Sequence, residues 1–372
     1  MTGHNTHYVN GHNAVPAGGS ELTHGPEAPV GRRLKEENMG RNFRRAGAAV
    51  LAALTTTALV ACSSEQAPQA EENGGGGDDA ATETISIGFS QVGAESGWRA
   101  ANTKSIQDTL TAENGFDLKF SDAQQKQENQ IQAIRSYIQQ GVDVIAFSPV
   151  VETGWDAVLE EAKAASIPVI LTDRAVDSED ESLYESFIGS DFVLEGEMAG
   201  DWAVEQYDGE GFKAVELQGT TGAAPMIDRQ QGFADAIAGS DIEMIDSQTG
   251  NFTRTEGKQV MEGFLQKYDD IDLVFAHNDD MGLGAIEAIE AAGKVPGKDI
   301  KIITVDAVKD GMQALADGKI NYIVECNPLL GPDLAEIAKK VVAGEEVQKR
   351  IVVEDQAFDQ EAAKEALPDR QY

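Results

Sequence analysis

The chain has 372 residues, with 29 basic and 64 acidic side chains, and therefore carries a formal net charge of −35 at pH 7. That length suffices for two domains with a sizeable core, whereas so acidic a chain is not attracted to nucleic acid or to an anionic membrane surface. With only two cysteines, the protein does not depend on a disulfide framework.

The first segment, residues 1–61, has the pattern of a leader that ends in an export signal. Arginines precede an apolar run over 46–60, which is too short and too rich in Ala and Thr for a comfortable membrane span. The run ends in Leu59-Val60-Ala61-Cys62, which resembles a bacterial lipoprotein box and predicts lipidation of Cys62. A plain secretory signal with a chance cysteine is the alternative.

Residues 62–83 are predicted to form a flexible, solvated tether. They are rich in Glu, Gln, Ala, Gly and Asp, include consecutive glycines over 74–77, and lack apolar periodicity. A lipid anchor followed by such a tether would keep a globular body close to a membrane partner.

From Ile85 onward, short Val- and Ile-rich runs alternate with helical patterns, which predicts an α/β fold with parallel sheets. A first series has strands near 85–90, 118–121, 144–147, 169–172 and 186–188, with helices over 101–112, 127–140 and 155–165. A second has strands near 214–217, 243–245, 273–276, 302–305 and 322–324, with helices over 194–206, 230–238, 256–267, 282–292, 312–316 and 333–342. One sheet seldom holds so many strands, so we predict two lobes with a ligand cleft between them.

The loop after the first strand, within residues 88–102, has the most informative composition. It offers the side chains of Glu95, Ser96, Trp98 and Arg99 at a strand-to-helix junction, where open α/β sheets bind ligands. The loop lacks both glycine-rich phosphate-binding patterns. Its carboxylate, hydroxyl, indole and guanidinium suit a neutral polyol. The alternative is an ordinary loop with a core tryptophan.

Polar side chains recur directly after several other predicted strands. Asn278 and Asp306 each follow an apolar run, and an Arg opens the helix after the loop over 219–224. The full set comprises Asp173, Arg174, Asp228, Arg229, Asn278 and Asp306, with Phe252 and Arg254 in a further loop. Each could instead be a helix cap, a turn residue or a surface charge. Their recurrence at the same edge favours a shared binding site.

The residue types favour binding over catalysis. His277 is the only histidine in the body of the chain, so no Ser–His–Asp set is available. The body of the chain lacks clustered His or Cys ligands for a metal, and we expect no cofactor. His4, His7, His12 and His24 could form a metal-binding tail, but a discarded leader is the simpler interpretation. Asp279 and Asp280 could be read as paired glycosidase carboxylates, but neighbours at a helix start point apart and acidic residues are favoured there.

Several stretches together resemble the type I periplasmic sugar-binding proteins of ABC importers, and most of all their galactofuranose-binding members. They are GFSQVGAESGWRAA (88–101), QQKQENQI (124–131), PVVETGW (149–155), TDR (172–174), ELQGTTGAAPMIDRQQGF (216–233), GNFTR (250–254) and AHNDDM (276–281). The resemblance implies two Rossmann-like lobes joined by a three-crossover hinge. It places residues 84–190 and 326–353 in an N-terminal lobe, and residues 191–325 and 354–372 in a C-terminal lobe.

The resemblance also implies sugar contacts by Glu95, Trp98, Arg99, Asp173, Arg174, Arg229, Asn278 and Asp306. Phe252 is similar to a ring-stacking aromatic of ribose-binding relatives. Glu325 stands where ribose binders place a glutamine, which leaves its role open. We expect Cys326 to be an inert core thiol.

The expected function is that of a solute-binding lipoprotein. It would be exported, anchored by lipid to the outer face of the cytoplasmic membrane, and monomeric. It would capture a monosaccharide of galactofuranose or galactose type and deliver it to an ABC permease with its ATPase subunits. The alternative is a sugar-sensing co-receptor for a kinase or chemoreceptor. A sugar-responsive repressor would need a basic helix-turn-helix in place of the export signal, and an enzyme would need a base–nucleophile pair.

Overall fold

The computed structural model describes residues 84–206 and 211–372 of the chain. The leader with its predicted export signal, the lipidation site at Cys62 and the whole of the tether therefore lie outside the described residues. None of the helices in the part of the chain that the structure describes combines the length and the hydropathy needed to cross a bilayer.

Strands and helices alternate along the described chain. The strands are β1 (Ile85–Gln91), β2 (Phe116–Asp122), β3 (Val144–Phe147), β4 (Val169–Thr172), β5 (Ser186–Gly189), β6 (Lys213–Gln218), β7 (Glu243–Thr249), β8 (Leu273–Ala276), β9 (Lys301–Asp306), β10 (Tyr322–Glu325), β11 (Arg350–Val352) and β12 (Ala357–Phe358). The α-helices are α1 (Gly97–Thr109), α2 (Gln127–Gln140), α3 (Asp156–Ala164), α4 (Phe192–Gln206), α5 (Ala224–Ile237), α6 (Arg254–Lys267), α7 (Asp279–Ala291), α8 (Lys309–Ala316), α9 (Gly331–Val342) and α10 (Gln360–Ala366). Short 3₁₀ helices span Ala112–Asn114, Glu181–Leu183 and Leu367–Asp369.

The strands form two six-stranded sheets, which confirms the two-lobed α/β prediction. The first sheet has the order β11-β5-β4-β3-β1-β2, and all of its neighbours are parallel. The second has the order β12-β10-β9-β8-β6-β7, and only β12 is antiparallel to its neighbour. The chain crosses between the two sheets three times, near 190–191, 326–330 and 353–356.

Helices cover both faces of each sheet, so strands such as β3, β4 and β8 are fully buried. In the first lobe, α1 and α9 pack on one face through Ile106 and Leu334, and α2 and α3 pack on the other. In the second lobe, α4 and α5 cover one face, where the Phe233 ring stacks on Phe275 at 4.4 Å. Helices α6, α7, α8 and α10 cover the opposite face.

Helix starts are where the sequence prediction is least accurate. The observed α1 begins at Gly97, four residues before the predicted start, because the side chain of Ser96 caps it by accepting the Arg99 amide. Helix α5 begins at Ala224 with Pro225 in its first turn. Arg229, which was expected to open that helix, therefore lies in its second turn. Strands β11 and β12 and helix α10 were not predicted, since such short elements show no clear periodicity.

Candidate ligand-binding site

The first-lobe part of the candidate site is organised around Arg99. Its Nε donates to Glu95 Oε1 at 3.0 Å, and its Nη2 donates to Asp173 Oδ2 at 2.7 Å. The same Asp173 oxygen accepts the Ser148 hydroxyl at 2.8 Å. All of these groups lie just past the C-terminal ends of β1, β3 and β4, which is where parallel sheets bind ligands.

Arg174 completes the charge balance of this half of the site. Its Nη1 donates to the carbonyl of Val150 at 3.2 Å, and its Nη2 lies 3.7 Å from Glu95 Oε1. Two arginines thus face two carboxylates with side chains at most 5% exposed. Such a neutral arrangement suits an uncharged polar ligand better than an anion or a cation.

The pKa values of these groups follow from burial and from the charges around them. Burial alone would raise the pKa of Asp173, but Arg99 and Arg174 outweigh it and hold the pKa below its usual range. Burial, reinforced by Arg99, lowers the pKa of Arg174 to about 10. Both groups are therefore charged near neutral pH.

The second-lobe part of the site is organised around Arg229. Its Nε donates to Glu195 Oε2 at 2.6 Å, and its Nη1 donates to the carbonyl of His277 at 2.6 Å. Asn278 caps α7 by accepting the Met281 amide at 3.0 Å, as one of the sequence alternatives proposed. It nevertheless lines the cavity as well, so capping and a place in the site are compatible.

Several site residues have an unusual backbone. Asp173 has a φ of 63°, Phe252 of 62° and Asp306 of 118°, in a region that residues other than glycine seldom adopt. Such conformations persist where the surrounding structure fixes them, and they cluster at functional sites. Burial also raises the pKa of Asp306 well above its usual value, although Arg229 opposes this.

Both halves of the site line one narrow cavity, in which the volume open to the centre of a water molecule is about 20 Å³. The lining residues are Glu95, Ser96, Trp98, Arg99, Asp173, Arg174, Pro225, Arg229, Phe252, Asn278, Asp306 and Cys326. Every residue predicted to contact the sugar is in this set, as is Phe252, whereas the further candidates Asp228 and Arg254 are not. Pro225 and Cys326 were not predicted.

Two of the lining side chains differ from expectation. Cys326 is a buried thiol, as predicted, and burial raises its pKa well above the usual value, but it also lines the cavity. Trp98 does more than offer a ring face, because its Nε1 donates to the carbonyl of Cys326 at 2.6 Å. The Arg99 guanidinium covers that ring at 4.6 Å.

Other candidates lie away from the cavity. Arg254 is 45% exposed and pairs with Glu287. Glu325 is buried and contacts Arg370 and Tyr372 instead. Glu195, which orients Arg229, was not predicted. The one sign of its role in the sequence is that this acidic residue stands among small residues on what proves to be the buried face of α4.

Three lining residues carry buried polar atoms without a protein hydrogen-bond partner among the described residues. These atoms are Glu95 Oε2, Arg174 Nε and Asp306 Oδ2. Since nearly all buried polar atoms in folded proteins are hydrogen-bonded, their natural partners are the hydroxyls of a ligand. Both lobes contribute such atoms, so one ligand would bridge them.

The lining of this cavity contains no histidine. His277 is fully buried outside it, with Nε2 at 2.9 Å from Glu216 Oε1, and burial lowers its pKa. Within 84–206 and 211–372, no group of three His, Cys, Asp or Glu residues is placed to hold a metal ion.

Residues 87–346 match the family model of the periplasmic binding protein domain. The chain belongs to the periplasmic binding protein family. This periplasmic binding protein has the type I arrangement of that family, and it is a binding protein and not an enzyme.

Similar proteins include sugar-binding members of the family. The chain is 46% identical to the galactofuranose-binding protein YtfQ of Escherichia coli K12, over 77% of this chain and 92% of that protein. It is 64% identical to a Mycobacterium smegmatis protein solved with beta-D-fucofuranose, with a TM-score of 0.76 over 78% of this chain and 96% of that one. It is 46% identical to the arabinose ABC transporter binding protein of Shewanella sp. ANA-3, solved with alpha and beta-L-arabinofuranose, with a TM-score of 0.74 over 77% and 96% of the two chains.

Proposed function

We propose that this periplasmic binding protein captures a monosaccharide of galactofuranose type and delivers it to the permease of an ABC importer. The observation that carries the proposal is the small, charge-balanced cavity between the lobes. It offers Glu95 Oε2, Arg174 Nε and Asp306 Oδ2, all buried and without a protein hydrogen-bond partner among the described residues. Charged groups form the stronger hydrogen bonds to hydroxyls, which favours a polyol ligand.

The five-membered ring is the more specific part of the proposal. The relatives above are named for, or were solved with, galactofuranose, fucofuranose and arabinofuranose. These sugars share a furanose ring and differ in their exocyclic groups. We therefore expect the predicted contact residues to recognise the ring hydroxyls.

Binding would couple to lobe closure. A sugar that contacts Asp173 and Arg174 from one lobe and Arg229, Asn278 and Asp306 from the other favours the arrangement in which both sets converge. We assign residues 84–190 and 326–353 to the first lobe and residues 191–325 and 354–372 to the second. The strand composition of the two sheets supports this division.

The closed, sugar-loaded monomer would dock on the permease and its ATPase subunits at the outer face of the cytoplasmic membrane. A lipid on Cys62 and the tether over 62–83 would raise its effective concentration there. Replacement of Cys62 by Ser should release the protein from the membrane fraction without changing sugar affinity.

The proposed function is tested by calorimetric titration of the purified protein with two isomeric sugar analogues. In 1,4-anhydrogalactitol the ring is locked as a five-membered ring, and in 1,5-anhydrogalactitol as a six-membered ring. We expect the first to bind and the second to fail, while galactose, 6-deoxygalactose and arabinose reach saturation only at a large molar excess of total sugar over protein, because little of each is furanose. Binding of only the six-membered isomer contradicts the ring assignment, and no binding by any compound contradicts sugar capture.

Site variants complete this test. Asp173→Ala and Arg229→Ala should abolish binding, since each removes a buried charged group that lines the cavity and is held there by an ion pair. Arg254→Ala is the matched control, because Arg254 lies on the surface with Glu287 and outside the cavity lining. Unchanged affinity in the cavity variants would contradict the assignment of the site.

A further inference from the structure

Asp280 does not line the cavity, but its side chain connects the two lobes close to the cavity. The carboxylate of Asp280 in the second lobe accepts the backbone amide of Gly97 in the first, with Oδ2 at 2.7 Å from the nitrogen. Gly97 is the first residue of α1, and Asp280 lies in the first turn of α7. The two residues are 183 positions apart in the chain.

The contact acts on elements that carry the binding residues. Helix α1 is capped at its N-terminus by Ser96 of its own lobe, which accepts the Arg99 amide, and by Asp280 of the other lobe. Negative charge is favourable at a helix N-terminus, where the first amides lack intrahelical partners. Trp98 and Arg99 follow directly on α1, and Asn278 precedes Asp280 by two residues.

We propose that Asp280 is a positioning residue that latches the lobes closed around the ligand. This inference rests on the proposed function, since it assumes that the ligand is held between the lobes. Asp280 touches no ligand itself, and it stabilises the closed arrangement in which both halves of the cavity meet. Its loss therefore shortens the lifetime of the bound complex.

The hydrogen bond to Gly97 is the main attractive contact of the Asp280 side chain. Within the described residues its carboxylate accepts one hydrogen bond, from the backbone amide of Gly97, and forms no ion pair within 4.0 Å. Glu95 and Asp310 repel it, and Arg254 attracts it only from a distance. Another contact between the lobes, from the Glu152 amide to the Gly222 carbonyl at 2.9 Å, involves only backbone atoms. Asp280 is thus a cross-lobe contact that a side-chain substitution removes.

The hydrogen bond can be deleted from either lobe. Asp280→Ala removes the acceptor, and Gly97→Pro removes the donor and also places the proline Cδ against Asp280 Oδ2. Proline is favoured at the first position of a helix, and the extended conformation of Ser96, with φ −146° and ψ 165°, is the one that a following proline requires. Asp310→Ala is the matched control, since it removes a nearby exposed carboxylate of the same charge that does not contact Gly97.

The experiment measures sugar association and dissociation rates by stopped-flow fluorescence, with small-angle scattering of the saturated protein. We expect Asp280→Ala to raise the dissociation rate about tenfold, the scale of one lost hydrogen bond to a charged group, with little change in association. Gly97→Pro should raise it at least as much, because the proline ring also pushes against Asp280. The double variant should release the sugar no faster than either single variant, because both substitutions remove the same contact. Thermal unfolding of each variant reports its effect on folding separately.

Three outcomes overturn or separate the proposals. Dissociation rates equal to the wild type in both variants contradict the latch while sugar capture stands. Additive effects in the double variant show that the two residues act independently, which also contradicts it. If the wild type binds none of the sugars, the proposed function fails, and hydrogen exchange still tests the contact: the Gly97 amide should be protected in the wild type and in Asp310→Ala but exposed to exchange in Asp280→Ala.

Discussion

Arg99 Nη2 lies 2.7 Å from Asp173 Oδ2, although the two residues are 74 positions apart and follow different strands. The pair is almost fully buried, with side-chain exposures of 2% and 5%. It connects the loop after β1 to the end of β4. Glu95 Oε2 and Arg174 Nε, which have no protein hydrogen-bond partner among the described residues, remain available to a ligand.

Removal of one partner of this pair should be strongly destabilising. In Asp173→Asn, Arg99 keeps its charge but loses the carboxylate, and breaking a buried pair in this way typically lowers stability by about 3–5 kcal/mol. Urea unfolding measures the change, and calorimetry should show the loss of sugar binding. The control is Glu161→Gln, which breaks the exposed Arg135–Glu161 pair and should cost less than about 1 kcal/mol. Equal losses in the two variants would contradict the prediction.

Because Gly219 has no side chain, the Phe252 ring can occupy the space beside it at the cavity. A Cβ at position 219 would lie 1.9 Å from Phe252 Cζ, so Gly219→Ala must displace the ring. We expect at least a tenfold loss of sugar affinity, with overpacking that lowers stability by about 1–3 kcal/mol. Calorimetry and urea unfolding measure these two effects.

Gly263→Ala is the matched control for that substitution. Gly263 lies within α6, and an added Cβ would meet no atom within 4 Å. Its replacement should therefore stabilise the protein by up to about 1 kcal/mol through helix propensity, without a change in affinity. If both alanine variants bind sugar like the wild type, Phe252 does not shape the site.

Arg370 and Tyr372 clamp Glu325, the last residue of β10, directly before the second crossing between the lobes. Arg370 Nη1 lies 2.7 Å from Glu325 Oε1, its Nε donates to the Ala307 carbonyl at 2.7 Å, and the Tyr372 hydroxyl lies 2.6 Å from Glu325 Oε1. We expect Arg370→Ala to destabilise the protein by about 2–4 kcal/mol, because it leaves Glu325 buried without its cation. Glu325→Gln in the same chain should recover part of that loss. A double-mutant cycle by urea unfolding measures the coupling, and additive effects would contradict the clamp.

Asp355 should make stability depend on pH. Burial raises its pKa to about 6, although hydrogen bonds from Ser190 and the Asn327 amide oppose this. The folded state binds this proton more tightly than the unfolded chain, whose Asp pKa is about 3.9. Its stabilising contribution is therefore complete below about pH 4 and is lost as the pH rises through about 6.

The measurement compares urea unfolding of the wild type and Asp355→Asn at intervals from pH 4 to pH 8. The wild type should lose stability relative to the variant between about pH 4 and 6, and the difference should be constant above about pH 7. A difference that grows in the opposite direction would contradict the direction of the pKa shift.

Much of the fold was predictable because its signals are local. Buried strands such as β3, β4 and β8 were predicted with their observed ends, since a run of Val, Ile, Leu and Phe marks a strand covered on both faces. The binding residues could be grouped in advance because parallel strands bring their carboxyl ends to one edge. The crossings between the lobes came from family resemblance and not from periodicity.

The remaining features depend on contacts that leave no local signal. Cys326 lines the cavity, and Gly97 donates to Asp280, only when both lobes are assembled. The start of α1 was predicted late because its first turn contains Trp98 and Arg99, which serve the site and interrupt the helical pattern. Glu325 pairs with residues far along the chain, so its environment could not be inferred from its neighbours.

The three crossings also determine when each lobe can be completed during synthesis. The chain is made from its N-terminus, yet α9 and β11, which complete the first lobe, follow β10 of the second. Until they emerge, the sheet face that carries Ile87 and Phe89 lacks the cover supplied by Leu334 and Ile337. The nascent chain therefore exposes an apolar face through most of its translation, which makes it a natural client for chaperones that bind such segments.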